Sequence, residues 1–153
     1  MNQTPIMNQE TADTSLNSFP LYAVARLVVQ AYRPYLDPVG LTYPQYLIIQ
    51  ALSDSDGLSV TQIADKLLLD AGTITPILKR LQTRGVVLRE RSKKDERSVI
   101  NHLSGEGRVL AHDTRSISEL ALNRGLMRSH QIKPLLDHAE YMLKQLTTVH
   151  PGL

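Results

Sequence analysis

The stretch that decides the fold is LDAGTITPILKRLQTRGVVLRERSKKDERSVINHL, residues 69–103. Apolar residues recur at helical spacing in its first part and predict a helix from Thr73 to Arg84. Gly85 ends this helix at a position where a left-handed backbone is favoured. The predicted buried face consists of Ile74, Ile77, Leu78 and Leu81. The opposite face presents hydroxyl groups, a proline and basic groups: Thr73, Thr75, Pro76, Lys79, Arg80 and Thr83.

Two strand-like segments, 86–91 and 98–103, follow the helix and are joined by a polar tip, 92–97. This pattern predicts a β-hairpin with a long charged tip. Asp95 lies two residues before Arg97, on the same side of an extended chain, where it can orient the guanidinium group. The tip has three cations: Lys93, Lys94 and Arg97.

The rest of the chain is predicted to be mainly helical. Thr42 and Gln45 have the spacing of a capping box at the start of a helix, and Pro34 and Pro38 are expected to end or break the helix before it. The first expected helix begins near Pro20 with Ser18 or Phe19 as its cap, the second spans Tyr43–Leu52, and the third runs from Ser59 or Thr61 to Leu67. After the hairpin, a long helix is expected to begin near Glu106, with Ser104 as its cap, and to continue or restart over Ser116–Leu126. The last expected helix spans Ser129–Val149. Leu58–Val60 is expected to be a short isolated strand. Two short helices, a tight turn and a charged hairpin predict a mainly α winged helix-turn-helix with six or so helices and a small β-wing.

Charge is concentrated in one part of the chain. The whole chain has a net charge of +2, but the window from Lys79 to Arg97 has eight basic and three acidic residues, a net charge of +5. The remainder therefore has a net charge of −3. A local basic patch on an acidic body is the pattern expected of a protein that binds a polyanion with one surface.

DNA is the polyanion that this arrangement favours. The second helix of such a unit lies in the major groove with its polar face against base edges, and a narrow hairpin tip can enter the minor groove. Lys79, Arg80 and Arg84 can reach guanine edges or phosphates. The alternatives are an ordinary solvated helix face and a solvated charged turn. The candidate DNA contacts are Thr73, Thr75, Pro76, Lys79, Arg80, Arg84, Arg91, Lys93, Lys94, Asp95 and Arg97.

Several function classes have no support in the sequence. The 153 residues contain no cysteine, which excludes disulfides and thiol chemistry within them. The polar N-terminal residues do not resemble a signal peptide, and no apolar stretch is long enough for a membrane span, so a cytoplasmic protein is expected. The five histidines lack metal-ligand spacing, and no nucleophile elbow or phosphate-binding glycine loop occurs. We therefore expect no enzyme activity, no metal and no cofactor.

Residues 69–81 and 94–98 closely resemble the MarR family of winged-helix regulators. Residues 32–37 and 41–46 make the chain similar to the branch of organic-hydroperoxide-resistance repressors. The resemblance implies a homodimer that reads a pseudo-palindromic DNA site, with the first helix and the last two helices interleaved with those of the partner. The implied organisation is a flexible tail (1–15), a helical dimerisation region (16–52 and 104–150) and a winged helix-turn-helix (53–103).

The resemblance breaks down at the residue that senses peroxide. Peroxide-sensing members have a reactive Cys four residues before a Tyr, and here Tyr22 matches that Tyr while Ser18 stands at the Cys position. A Ser hydroxyl cannot be oxidised to a sulfenic acid. Two explanations fit: a natural member that binds a small molecule in the same cleft, or a Cys-to-Ser form. The implied sensor or ligand cleft is Ser18, Tyr22, Tyr32 and Tyr43, although the tyrosines also suit ordinary core and interface positions.

The sequence thus predicts a DNA-binding transcription regulator, expected to be a repressor gated at the dimer cleft by an oxidant, such as an organic hydroperoxide, or by a small ligand. The alternative is a structural protein that reads DNA shape without an effector.

Overall fold

In the computed structural model, the described residues are 18–92, 98–125 and 129–149. They form a mainly helical chain with a small antiparallel sheet, as predicted. The elements are α1 (Phe19–Leu36), a short 3₁₀ helix (Asp37–Val39), α2 (Tyr43–Asp54), β1 (Leu58–Ser59), α3 (Val60–Leu67), α4 (Ala71–Thr83), β2 (Val87–Arg91), β3 (Val99–Leu103), α5 (Gly105–Thr114), α6 (Ile117–Gly125) and α7 (Ser129–Val149). None of the helices in these ranges has the length and apolar character that a membrane span needs.

Two capping boxes fix the starts of α2 and α3. The Thr42 hydroxyl accepts a hydrogen bond from the Gln45 amide, and the Gln45 side chain accepts one from the Thr42 amide at 2.9 Å. Ser59 and Gln62 form the same pair before α3. Each box satisfies two backbone donors that a helix start otherwise leaves open. The prediction at Thr42 is confirmed. Helix α3 was expected to begin at Ser59 or Thr61, and it begins at Val60 with Ser59 as its cap.

The prediction that Pro34 ends or breaks the first helix is wrong. Helix α1 continues through Pro34 to Leu36, and the chain turns only at the 3₁₀ helix that contains Pro38. Proline removes the hydrogen bond to the carbonyl of Gln30, but Gln30 is exposed, so water can hydrate that carbonyl. Packing against α6 holds the helix together beyond this point, because the Tyr35 hydroxyl donates to the Leu120 carbonyl at 3.4 Å.

Helix α4 begins two residues earlier than predicted. Asp70 is its cap, with a carboxylate oxygen that accepts from the Thr73 amide at 2.8 Å. Gly72 lies within the helix. The turn before α4 uses Leu68, which ends α3 in the left-handed conformation with φ of 53°. Gly85 has φ of 79° after α4, as its position predicted.

The sheet has the strand order β1-β3-β2, with both pairs antiparallel. The fully buried Asn101 joins its three strands: its side-chain amide donates to the Leu58 carbonyl at 2.9 Å and accepts from Arg89 Nε at 3.2 Å. The Ser92 amide donates to the Ser98 carbonyl at 2.9 Å beyond the last strand pair. The predicted tip residues 93–97 lie outside the described residues.

The core lies where α2, α3 and α4 meet the sheet. On α4, three of the four predicted apolar residues are fully buried, and Ile77 is half-buried. Burial of each Leu or Ile side chain stabilises the fold by about 1.5–3 kcal/mol. This packing fixes which face of α4 remains at the surface. The fully buried residues of these helices include Ile48, Ile49, Leu52, Ile63, Ile74, Leu78 and Leu81.

Candidate DNA-binding surface and tyrosine cleft

The outer face of α4 contains the polar residues that the sequence placed there. Thr73, Pro76, Lys79, Arg80 and Thr83 are exposed, and Thr75 is half-buried. None of these side chains is needed to fill the core, so the face is free to meet another molecule. The side chains that hold α4 in place point the other way.

The threonine hydroxyls on α4 donate their hydrogens within the helix. Thr75 donates to the Ala71 carbonyl at 2.8 Å, and Thr83 donates to the Lys79 carbonyl at 3.0 Å. Thr73 donates to the Asp70 carboxylate, and this hydrogen bond is the largest of the effects that lower the pKa of Asp70. These threonine side chains therefore offer hydroxyl lone pairs and methyl groups to a ligand. Such groups suit base amino donors and thymine methyls in a major groove.

Arg84 does not join this outer face. Its Nη1 donates to the Gly40 carbonyl and its Nη2 to the Val39 carbonyl, each at 2.6 Å. Both terminal nitrogens of the guanidinium group therefore bind the corner between α1 and α2. The sequence grouped Arg84 with Lys79 and Arg80 because only its charge and spacing could be seen, and its role as a DNA contact stays a prediction.

The hairpin places one further predicted contact at the surface. Arg91, the last residue of β2, is exposed, whereas Arg89 is turned towards Asn101. The other predicted contacts on the hairpin, which fall outside the described residues, are Lys93, Lys94, Asp95 and Arg97.

An ion-pair network that the sequence analysis missed supports the base of the hairpin. Asp56 accepts from the Leu103 amide at 3.0 Å and from Arg108 at 2.7 Å. His102 lies between two carboxylates, with Nδ1 3.6 Å from Asp56 and Nε2 3.2 Å from Glu90. Burial of Asp56 raises its pKa, but these hydrogen bonds and the charges of Arg108 and His102 outweigh burial and lower it.

Three tyrosines cluster where α1 meets α2. The ring centroids of Tyr32 and Tyr43 are 4.8 Å apart, and that of Tyr46, which the sequence analysis missed, is 5.7 Å from Tyr32. The Tyr32 hydroxyl donates to Ser118 Oγ at 3.0 Å. Burial, and secondarily the neighbouring tyrosines, raise the pKa of Tyr43 and that of Tyr46, the latter to about 12. Tyr43 and Tyr46 are therefore neutral phenols near pH 7.

A mainly apolar cleft of about 580 Å³ lies beside this cluster, between α1 and the start of α2. Tyr22 and Tyr43 line it, while Tyr32 is buried behind Tyr43 and is not among the lining residues. Ser18 precedes α1 and is exposed, its hydroxyl forms no capping hydrogen bond, and it does not line the cleft. The structure therefore places two of the four predicted cleft residues on the wall. Among the described residues no group of three potential metal ligands occurs.

Two helices have large apolar side chains that the other described residues leave exposed. On α1, Phe19, Leu21 and Leu27 are more than half exposed. On α7, Leu143, Leu146 and Val149 are about half exposed or more. Exposed apolar surface of this extent marks an interaction site.

Comparisons with known proteins decide the family. Residues 41–99 match the model of the MarR family. The chain is 36% identical over 128 residues to an organic hydroperoxide resistance transcriptional regulator of Bacillus subtilis, and the match covers 84% of this chain and 87% of that protein. It is 38% identical to the HTH-type transcriptional regulator TtmR of Methylorubrum extorquens, over 95% of this chain and 74% of that protein. The chain belongs to the MarR family.

Solved structures agree with this assignment. The overoxidized form of the regulator AbfR, crystallised bound to DNA, is 32% identical, with a TM-score of 0.68 over 84% of this chain and 89% of that one. The crystal structure of AbfR of Staphylococcus epidermidis gives a TM-score of 0.69 at the same identity, over 85% of this chain and 90% of that one. The predicted winged-helix fold and the predicted resemblance to MarR regulators are thereby confirmed.

Proposed function

We propose that this MarR-family regulator is a sequence-specific double-stranded DNA-binding protein that acts as a homodimeric repressor. The observation that supports this most is the outer face of α4. Its apolar residues are used in the core, while its hydroxyls, Pro76, Lys79 and Arg80 remain exposed on one side. That is the division of faces a recognition helix in a major groove requires.

Each group of candidate contacts has a separate task. Thr73, Thr75 and Pro76, near the start of α4, approach base edges and thymine methyls. Lys79 and Arg80 bind phosphates or guanine edges. The cationic residues of the hairpin contact the DNA backbone and the minor groove; they are Arg91, Lys93, Lys94 and Arg97. Asp95 orients the guanidinium group of Arg97.

A second copy of this chain is the partner that we propose for the exposed apolar faces of α1 and α7. A two-fold axis would set two recognition helices about 34–36 Å apart, one turn of DNA, and so select a pseudo-palindromic site. The AbfR relatives crystallised with DNA support the DNA partner.

We propose that the tyrosine cleft gates DNA binding. A molecule between α1 and α2 that favours one separation of the two recognition helices over another shifts the protein towards or away from DNA. Ser18 cannot act as a thiol sensor, so an effector of this chain either binds without forming a bond or, if it is an organic hydroperoxide or another oxidant, reacts with a residue other than cysteine. We also propose that the protein has no enzyme activity and works in the cytoplasm.

The test of DNA binding is fluorescence anisotropy with the DNA upstream of the protein's own gene and with a scrambled duplex, at several salt concentrations. We expect tighter binding to the upstream DNA. Lys79→Gln should reduce the slope of log K against log salt by about 0.9, and Lys144→Gln on α7 should leave the slope unchanged. Equal binding to both duplexes would favour a shape-reading protein, and no binding would exclude the proposal.

Gating is tested with a Ser18→Cys variant, which introduces the only thiol of the chain. We expect cumene hydroperoxide to release the variant from DNA and to leave the unmodified protein bound. Rapid release of the unmodified protein would show that oxidation acts at another residue.

A further inference from the structure

Arg84 ties the end of α4 to the corner between α1 and α2. Its two terminal nitrogens reach the carbonyls of two successive residues, Val39 and Gly40, each at 2.6 Å. Charge-assisted hydrogen bonds of this length are stronger than neutral ones, and two parallel bonds also fix an orientation. The guanidinium lies over Gly40, whose φ of 63° places it in the left-handed region.

The corner that Arg84 binds is also a wall of the tyrosine cleft. Leu36 and Asp37 line the cleft immediately before this corner, and Leu41 and Thr42 line it immediately after. Within one chain, the C-terminal end of the proposed recognition helix is thus joined by two hydrogen bonds to the backbone around which the cleft is built.

We propose that Arg84 is a positioning residue for DNA binding and not a DNA contact. It sets the orientation of α4 relative to α1 and α2, so that the recognition helix moves with the cleft wall. This inference rests on the proposed function. Lysine cannot take its place, because an ammonium group is a point charge without the planar fork that spans two carbonyls. At a phosphate contact, in contrast, lysine would serve.

The experiment compares Arg84→Lys and Arg84→Gln with the unmodified protein, on upstream and scrambled DNA over a range of salt concentrations. Circular dichroism first checks that each variant is fully folded at the assay temperature. We expect both variants to bind the upstream DNA about 5–10-fold more weakly. Scrambled-DNA affinity should change less than twofold and the salt slope should stay the same, because no phosphate contact has been lost.

Two outcomes would overturn the proposal. A smaller salt slope in Arg84→Gln that Arg84→Lys restores would mean that Arg84 binds phosphate. Unchanged affinity for the upstream DNA in both folded variants would mean that the two hydrogen bonds only stabilise the fold. Lys79→Gln serves as the control. The proposed function itself has failed if the unmodified protein shows no preference for the upstream DNA and Lys79→Gln does not change the salt slope.

A measurement on the unmodified protein keeps the proposal testable if the variants do not fold. The side-chain N–H signals of Arg84 and Arg80 are followed by NMR as upstream DNA is added. We expect the Arg80 signals to shift and the Arg84 signals to stay in place. A shift of the Arg84 signals as large as that of Arg80 would contradict the assignment.

Discussion

The winged helix and the α1–α7 surface differ in how much of their structure one chain completes. In the winged helix, a capping box closes the start of α3, Ile63, Ile74 and Leu78 are fully buried, and Asn101 is satisfied by its neighbours. On the other side, Leu27 and Leu146 remain about half exposed. The core of the proposed DNA-binding part is therefore complete within one chain, whereas the α1–α7 surface needs a partner to cover it.

The largest expected effect is in the winged helix. Leu78→Ala removes a fully buried side chain where α4 meets the core and should lower the free energy of unfolding by about 2–5 kcal/mol. Urea denaturation measures this loss, which should persist when the protein concentration is varied. Leu88→Ala, at a side chain that is 57% exposed, is the control and should have little effect. If Leu78→Ala lowers the free energy of unfolding no more than Leu88→Ala does, α4 is not packed as described.

The next effect falls on the other region. Leu146→Asp places a charge on the exposed apolar face of α7 and should convert a dimer to a monomer, with upstream-DNA affinity reduced at least tenfold. Light scattering after size exclusion gives the mass, and circular dichroism should show little loss of helix. A variant that remains dimeric would move the interface away from this face of α7.

A smaller effect is expected at the hairpin tip. Arg97→Ala should weaken binding to the upstream DNA by about 1–3 kcal/mol if the tip reads the minor groove. Anisotropy at fixed salt measures this change, with Arg115→Ala outside the winged helix as the matched control. Unchanged affinity in Arg97→Ala would remove the tip from the proposed contacts.

The smallest effect concerns the network at the hairpin base. Because the pKa of Asp56 is lowered in the fold, its charge stabilises the protein above the ordinary carboxyl range, and this contribution is lost as pH falls through the folded pKa. Asp56→Asn should cost about 0.5–1 kcal/mol at pH 7. Urea denaturation at several pH values should show that the difference in free energy of unfolding between Asp56→Asn and the unmodified protein becomes smaller below the ordinary carboxyl pKa. A difference independent of pH would mean that charge plays no part.

Local signals in the sequence predicted much of the fold. Thr42 with Gln45, Gly85 and the hairpin strands act through neighbours only a few residues away, so spacing alone identified them. Pro34 misled the prediction because contacts 85 residues away hold α1 on α6. Asn101 and Asp56 were missed because their partners, among them Leu58 and Arg108, come from distant parts of the chain.

The candidate site divides in the same way. The outer face of α4 followed from helical spacing, whereas the redirection of Arg84 to Val39 and Gly40 depends on the three-dimensional approach of α4 to the corner after α1. Tyr46 was overlooked because nothing in the sequence shows that α1 and α2 bring three tyrosine rings together.

The central claim is that two copies of this chain place two α4 helices on one face of DNA. Hydroxyl-radical footprinting on the upstream DNA tests it most directly. We predict two protected half-sites related by a two-fold axis, with centres about one helical turn apart. A single protected patch without symmetry, or protection that does not depend on sequence, would contradict the account.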